Sequence, residues 1–268
     1  MSDLAETAED LVIYLEFNLA GAAQATDPEG IAASADAACS YFQAVGICEL
    51  LLDAETDAFF HMLVRSARMR RWLLRRAAQG LPDQPPYPAR VLKASNTRGL
   101  FAALAAGDRP LAAEIATLSA TRWNERVEYE DDFWYAHFLH RCVAGDRVED
   151  LRTILAAYTT ALDGDVPPPR HRLCATLLAP PDRQHGDALA AFADLIAARR
   201  AQMRDLAETS ILSTDELFVP FSSVYVEGLA WLQLLEGGGI VLDEEFAFCP
   251  ALARDPRYPP VPAGLFPP

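Results

Sequence analysis

The sequence predicts an all-α protein built as stacked antiparallel helical hairpins, closed by a Pro-rich C-terminal tail. Three observations predict it. Hydrophobic residues make up 51% of the 268 residues. Ala and Leu dominate that fraction, and both are strong helix formers, whereas β-branched runs are scarce. Apolar positions recur at the three-to-four spacing of one helix face. A break followed by Asp-Arg also recurs, at Ala106-Gly107-Asp108-Arg109, Ala144-Gly145-Asp146-Arg147 and Pro180-Pro181-Asp182-Arg183.

The three aspartates fall 38 and 36 positions apart, the length of one helical hairpin. In each break Gly or Pro ends the first helix, and the Asp suits the cap of the second. This resembles a degenerate array of the tetratricopeptide type in period and helix pattern, although the tetratricopeptide consensus is not met.

Residues 3–24 read as a first helix, with Leu4, Leu11, Val12, Leu15, Leu19 and Ala22 on one face. Asp27 and Pro28 mark a cap and first turn. Residues 28–52 then form a second helix, whose Ala32, Ala33, Ala35, Ala37 and Ala38 allow a close neighbour. After a turn at 53–56, residues 55–78 form a third helix carrying Arg65, Arg68, Arg70, Arg71, Arg75 and Arg76. Two readings of these arginines stand: an anion-binding patch, or a face paired with carboxylates of neighbouring helices. The Pro-rich run 80–88 cannot continue a helix. Its position suggests an N-terminal helical part (1–80), a connector (81–90), a helical-hairpin part (91–248) and an extended tail (249–268). Residues 163–170 read as a loop, 187–208 as a helix, and 209–220 as a looser segment whose Phe218-Val219-Pro220-Phe221 suits burial or an interface. Residues 222–236 form the most apolar helix, with Ser222 or Ser223 as cap and Gly237-Gly238-Gly239 as stop.

The net charge is −15 and the sequence pI about 4.7. That disfavours nucleic acid and anionic membrane surfaces, which need Lys and Arg. It suits solubility or a basic protein partner. Cys39, Cys48, Cys142, Cys174 and Cys249 form no C-x-x-C pair, so free thiols in a reducing cytoplasm are expected. The start MSDLAETAED has no basic region of a signal peptide. Charged residues interrupt each apolar run, so no membrane span is expected.

The densest chemistry lies in 123–158. Glu125, Glu128, Glu130, Asp131 and Asp132 crowd the start of a helix beside Trp123, Tyr129 and Trp134. Carboxylates there complement the helix dipole. Five of them exceed what a cap requires, and a basic partner would relieve their repulsion. His137 and His140, three apart on one helix, can face one point, and with Asp132 or His171 they could in principle ligate a metal. No H-E-x-x-H or paired E-x-x-H occurs, and the aromatic surroundings favour packed histidines over a metal enzyme. There is no G-x-S-x-G, no phosphate loop and no cofactor motif; Lys93 is the single lysine. Nothing in the sequence predicts an enzyme.

Val224-Tyr225-Val226-Glu227-Gly228-Leu229-Ala230-Trp231-Leu232, then Gly239-Ile240 and an acidic stretch to Cys249-Pro250, resembles the end of the immunity-49 family. Its members are all-helical bacterial immunity proteins encoded beside polymorphic toxins. Residues 224–250 carry most of the likeness, and the helix start Glu130-Asp131-Asp132-Phe133-Trp134-Tyr135 is compatible with the broader look of helical immunity proteins that act on nuclease toxins. The likeness implies a cytoplasmic antitoxin that binds a cognate secreted toxin and blocks its active site or an exosite. A basic nuclease would fit the charge. The resemblance brings no catalytic residue. The candidate contact residues are Glu125, Glu128, Tyr129, Glu130, Asp131, Asp132 and Trp134, with Trp123 beside them. The alternative is a helical-repeat adaptor or scaffold for an unrelated protein.

Overall fold

Helix α1 (Leu4–Gln24) turns into α2 (Pro28–Asp53) at Asp27, whose carboxylate accepts the Gly30 N–H at 2.8 Å while Pro28 sits in the first turn. This cap is as the sequence predicts. The computed structural model describes residues 4–81, 85–164, 166–209 and 215–261, leaving aside the side chains of 181–183. The further helices are α3 (Thr56–Gln79), α4 (Ala89–Leu92), α5 (Arg98–Ala105), α6 (Arg109–Leu118), α7 (Glu130–Ala144), α8 (Val148–Ala161), α9 (Pro169–Thr176), α10 (Pro181–Thr209), α11 (Phe218–Ser223) and α12 (Val226–Gly237). A 3-10 turn follows at Ala251–Ala253. Among the described residues there is an isolated bridge, Phe246 to Cys249, and no strand. The protein is all-α.

Two of the repeated breaks are visible. Gly107 and Gly145 take φ of 69° and 85° after α5 and α7, a left-handed conformation that a Cβ disfavours. Asp108 caps α6 by accepting the Leu111 N–H at 3.1 Å. Asp146 does not cap α8: its carboxylate takes the Arg141 Nε–H at 2.6 Å, and α8 begins after Arg147 with no side-chain cap. The Asp182 side chain and residues 210–214 lie outside the described residues, as do 82–84 of the connector and the end of the tail.

The last apolar helix also departs from expectation. Ser222 and Ser223 both donate back to the Val219 carbonyl at 2.9 Å and so end α11. Val224 is extended, and α12 restarts after Tyr225, whose own N–H goes to Phe248 O at 2.8 Å. Gly239, at φ 85°, follows the end of α12.

Packing explains the small residues. An added Cβ on Gly46 of α2 would lie 2.8 Å from Met62 Cβ, and one on Gly99 of α5 would overlap Arg70 Cβ. These glycines let α2 and α5 approach α3 closely. The six-arginine stretch divides accordingly. Arg71 and Arg75 pair with Glu114 of α6 at 2.9 and 3.2 Å, while Arg70 is buried and donates to Val91 O at 2.8 Å.

α1, α2 and α3 enclose one apolar cluster, and α3 shares a second with α5–α12. α12 is apolar all round and correspondingly buried, with Trp231 at its centre. It packs against α5, far away in sequence, a pairing that an array of nearest-neighbour hairpins does not require. α2 is in fact long and apolar enough to cross a membrane by length and composition, contrary to expectation; 67% of that window is buried within the fold, against α1 and α3. The tail, as far as Val261, crosses α3: Tyr258 stacks on Phe60 and donates to Ala106 O at 2.9 Å.

Candidate functional site

The chain between α6 and α7 is held by a few directed bonds. The Val127 and Glu128 N–H groups bond Asn124 O, at 3.0 and 3.2 Å, and the Trp123 indole donates to Glu128 O at 3.1 Å. Glu128 is only 8% exposed, and its Oε2 accepts the Ser95 N–H at 2.9 Å. Its position corrects the predicted surface cluster. Glu128 anchors the loop to the α4–α5 connection and does not stand on the outer face. Glu125 likewise precedes the helix, which begins only at Glu130.

What remains outside is an acidic and aromatic face. Tyr129 is 79% exposed and Trp123 41%, with Glu125 and Glu130 exposed beside them. Glu130, Asp131 and Asp132 fill the first turn of α7, where the helix dipole favours them. Burial, and then the Asp131 charge, pushes the half-buried Asp132 carboxyl upward. Trp134 is half-buried, and its indole donates to Glu130 Oε1 at 3.2 Å. Arg122 and Arg126 flank the face, so it is mixed at its edge and acidic at its centre.

The residues that carry the family resemblance do different work. Glu227 is buried and receives Arg170 through two bonds, Nε to Oε1 at 2.7 Å and Nη2 to Oε2 at 2.6 Å. Tyr135 of α7 donates to Oε1 at 2.7 Å, and the Trp231 indole donates to Tyr135 Oη at 2.9 Å. The Arg170 guanidinium also lies 4.9 Å from the Tyr135 ring centre. α7, the start of α9 and α12 are thereby tied through one buried polar network. Gly228 completes it: an added Cβ would stand 2.7 Å from Cys249 Sγ. The V-E-G helix and the closing C-P are thus packed on each other as parts of the core.

No family model matches this chain, and no curated protein and no solved structure matches it significantly.

Sequence reasoning missed one surface. On α1, Leu11, Leu15 and Ala22 are buried, but Val12 is exposed, together with Ile13 (63%), Tyr14 and Phe17 (74%). α1 also carries Glu6, Glu9, Asp10 and Glu16 and no cation. Ile13 and Phe17, four apart and off the buried stripe, were the available signal.

His137, His140 and His171 are packed against neighbouring side chains. His140 is buried with neither ring nitrogen bonded, and burial, then Arg70 and His137, lowers its pKa to about 3. His137 stacks on Phe133 at 5.3 Å, and His171 pairs with Thr159 at 2.8 Å. Among the described residues no three His, Cys, Asp or Glu side chains gather as metal ligands. The five thiols are free, and Cys142 alone of the five is not fully buried. Burial raises the Cys39 thiol to about 12, which leaves it unreactive.

Proposed function

We propose that this chain is an immunity protein. It binds a cognate secreted bacterial toxin in the cytoplasm and neutralises it by occlusion, and the toxin presents a basic surface such as a nuclease uses for nucleic acid. The single observation that carries this reading is Tyr129, 79% exposed and next in the chain to the exposed Glu130 and the half-buried Asp131. Tyr and Trp are favoured anchors of protein interfaces. Here the Trp123–Glu128 and Glu128–Ser95 bonds hold the loop in place before any partner arrives. Less ordering entropy is then lost on binding. The net charge of −15 would speed the approach of a basic partner. The resemblance over residues 224–250 supports the class of protein and does not supply the contact residues, because those positions build the core.

The test is co-purification. The product of the open reading frame immediately upstream is co-expressed with this protein and run on a sizing column. The reading expects a stable complex that is lost when Tyr129→Ala, Glu130→Arg and Asp131→Arg are combined. A complex untouched by that variant removes the acidic face from the account. Absence of any complex removes the immunity reading.

A further inference from the structure

A cavity of about 500 Å³ opens between α2, the start of α5, the second half of α10, α11 and α12. Its volume falls in the range of small-molecule sites, about 300–1,000 Å³. The walls are largely apolar, with Phe101, Met203, Leu206 and Phe221 among them. Four charged side chains also line it: Arg98, Arg199, Asp215 and Glu227.

The two carboxylates are already engaged. Glu227 is held by Arg170 and Tyr135, and Asp215 Oδ1 accepts the Leu217 N–H at 2.8 Å. Arg98 is partly engaged, its Nη1 3.5 Å from Asp36. Arg199 differs, because it forms no ion pair among the described residues. Its Nη2 donates to Phe221 O at 2.6 Å and its Nη1 to Gln202 at 2.9 Å, while the guanidinium lies 4.9 Å from the Tyr225 ring centre. Each terminal nitrogen carries two N–H groups, so a donor is left on each. Burial pushes the Arg199 pKa down and outweighs the opposing pull of Tyr225 and Glu227, as expected of a cation taken partly from water with no carboxylate bonded to it directly. An arriving anion would relieve that cost, and a guanidinium offers it paired donors.

We propose that this cavity binds an amphipathic organic anion, with its carboxylate or sulfonate on Arg199, assisted by Arg98, and its apolar body against Met203, Leu206 and Phe221. The protein's overall negative charge opposes an anion at long range. That field is screened beyond about 8 Å at physiological ionic strength, so the groups lining the cavity decide; there Glu227 is paired with Arg170, and Arg199 keeps donors to spare.

The test uses the whole chain and the dye 8-anilinonaphthalene-1-sulfonate, with decanoate and uncharged decanol as competitors. The proposal expects saturable binding of one dye per chain, displaced by decanoate about tenfold more effectively than by decanol, the ratio a charge-assisted bond supplies. Met203→Trp, which narrows the apolar part of the cavity, should weaken binding, and Arg199→Met should weaken it about tenfold. The double variant Ile13→Ser with Phe17→Ser should leave it unchanged. Equal competition by decanol, or dye binding lost only when α1 is altered, overturns the proposal, as does absence of saturable binding. The competition on the unaltered protein decides the point even where a variant fails to fold.

Discussion

Arg170 grips Glu227 with two hydrogen bonds of 2.7 and 2.6 Å, and the two partners are unequally buried: the Glu227 side chain is 8% exposed, that of Arg170 40%. Removing one partner therefore differs from removing the other. Arg170→Met leaves the buried Glu227 carboxylate without its cation, the Tyr135 hydroxyl still donating to it, and should cost about 3 kcal/mol. Glu227→Gln keeps an acceptor for Tyr135 and frees an arginine that can turn to water, so about 1 kcal/mol is expected. Urea unfolding of both variants checks the order. Equal losses would mean that the network is not the buried clamp described.

Gly228 and Cys249 should be coupled. Gly228→Ala places a methyl 2.7 Å from Cys249 Sγ and 2.9 Å from Tyr225 Cδ1, and overpacking of this kind costs about 2 kcal/mol. Cys249→Ala makes part of the room. A double-mutant cycle should show the pair losing less than the sum of the singles by about 1 kcal/mol. Strict additivity would deny the contact.

His140 makes stability depend on pH. Its folded pKa is lowered from 6.5 to about 3 by burial, with Arg70 and His137 adding to it. Between those values the unfolded chain binds a proton that the folded chain does not. Stability is therefore full above pH 6.5 and falls as pH drops toward 3, by about 2 kcal/mol at pH 5. His140→Phe should remove that share of the slope without loss at pH 7.5, since it also removes two unbonded ring nitrogens. Unfolding curves at pH 5 and 7.5 measure it, and an unchanged slope in the variant would refute the assignment.

Cap chemistry was legible because it is local. Asp27, Asp108, Gly107 and Gly145 act on neighbours within a few residues, and the structure places them as their spacing predicts. Where a distant group competes, the local pattern misleads. Ser223 stands before an apolar run and looks like a cap, but the Tyr225 N–H is claimed by Phe248 O. Glu128 looks like one more surface carboxylate, but Ser95, 33 residues earlier, draws it inside. A near neighbour can compete as well: Asp146 is taken by Arg141, five residues before it. The exposed side of α1 was hidden for a related reason: periodicity shows that a helix has an apolar stripe, not which of two candidate stripes finds a neighbour. Residues 224–232 offer no contact surface, because Glu227, Gly228 and Trp231 face inward.

The α1 surface makes its own prediction. Ile13 and Phe17 are exposed, so Ile13→Ser with Phe17→Ser should shift stability by no more than about 0.5 kcal/mol. A large loss in thermal unfolding would mean that this face is covered within the fold.

Growth of a toxin-producing host reads the proposed neutralisation through the acidic and aromatic face. The upstream gene product is induced in a bacterial host together with the unaltered protein, or with the variant carrying Tyr129→Ala, Glu130→Arg and Asp131→Arg. Arrest is expected without this protein, rescue with the unaltered chain, and loss of rescue with a variant that still folds. Rescue by both chains would contradict the face, and arrest that neither chain relieves would contradict the function.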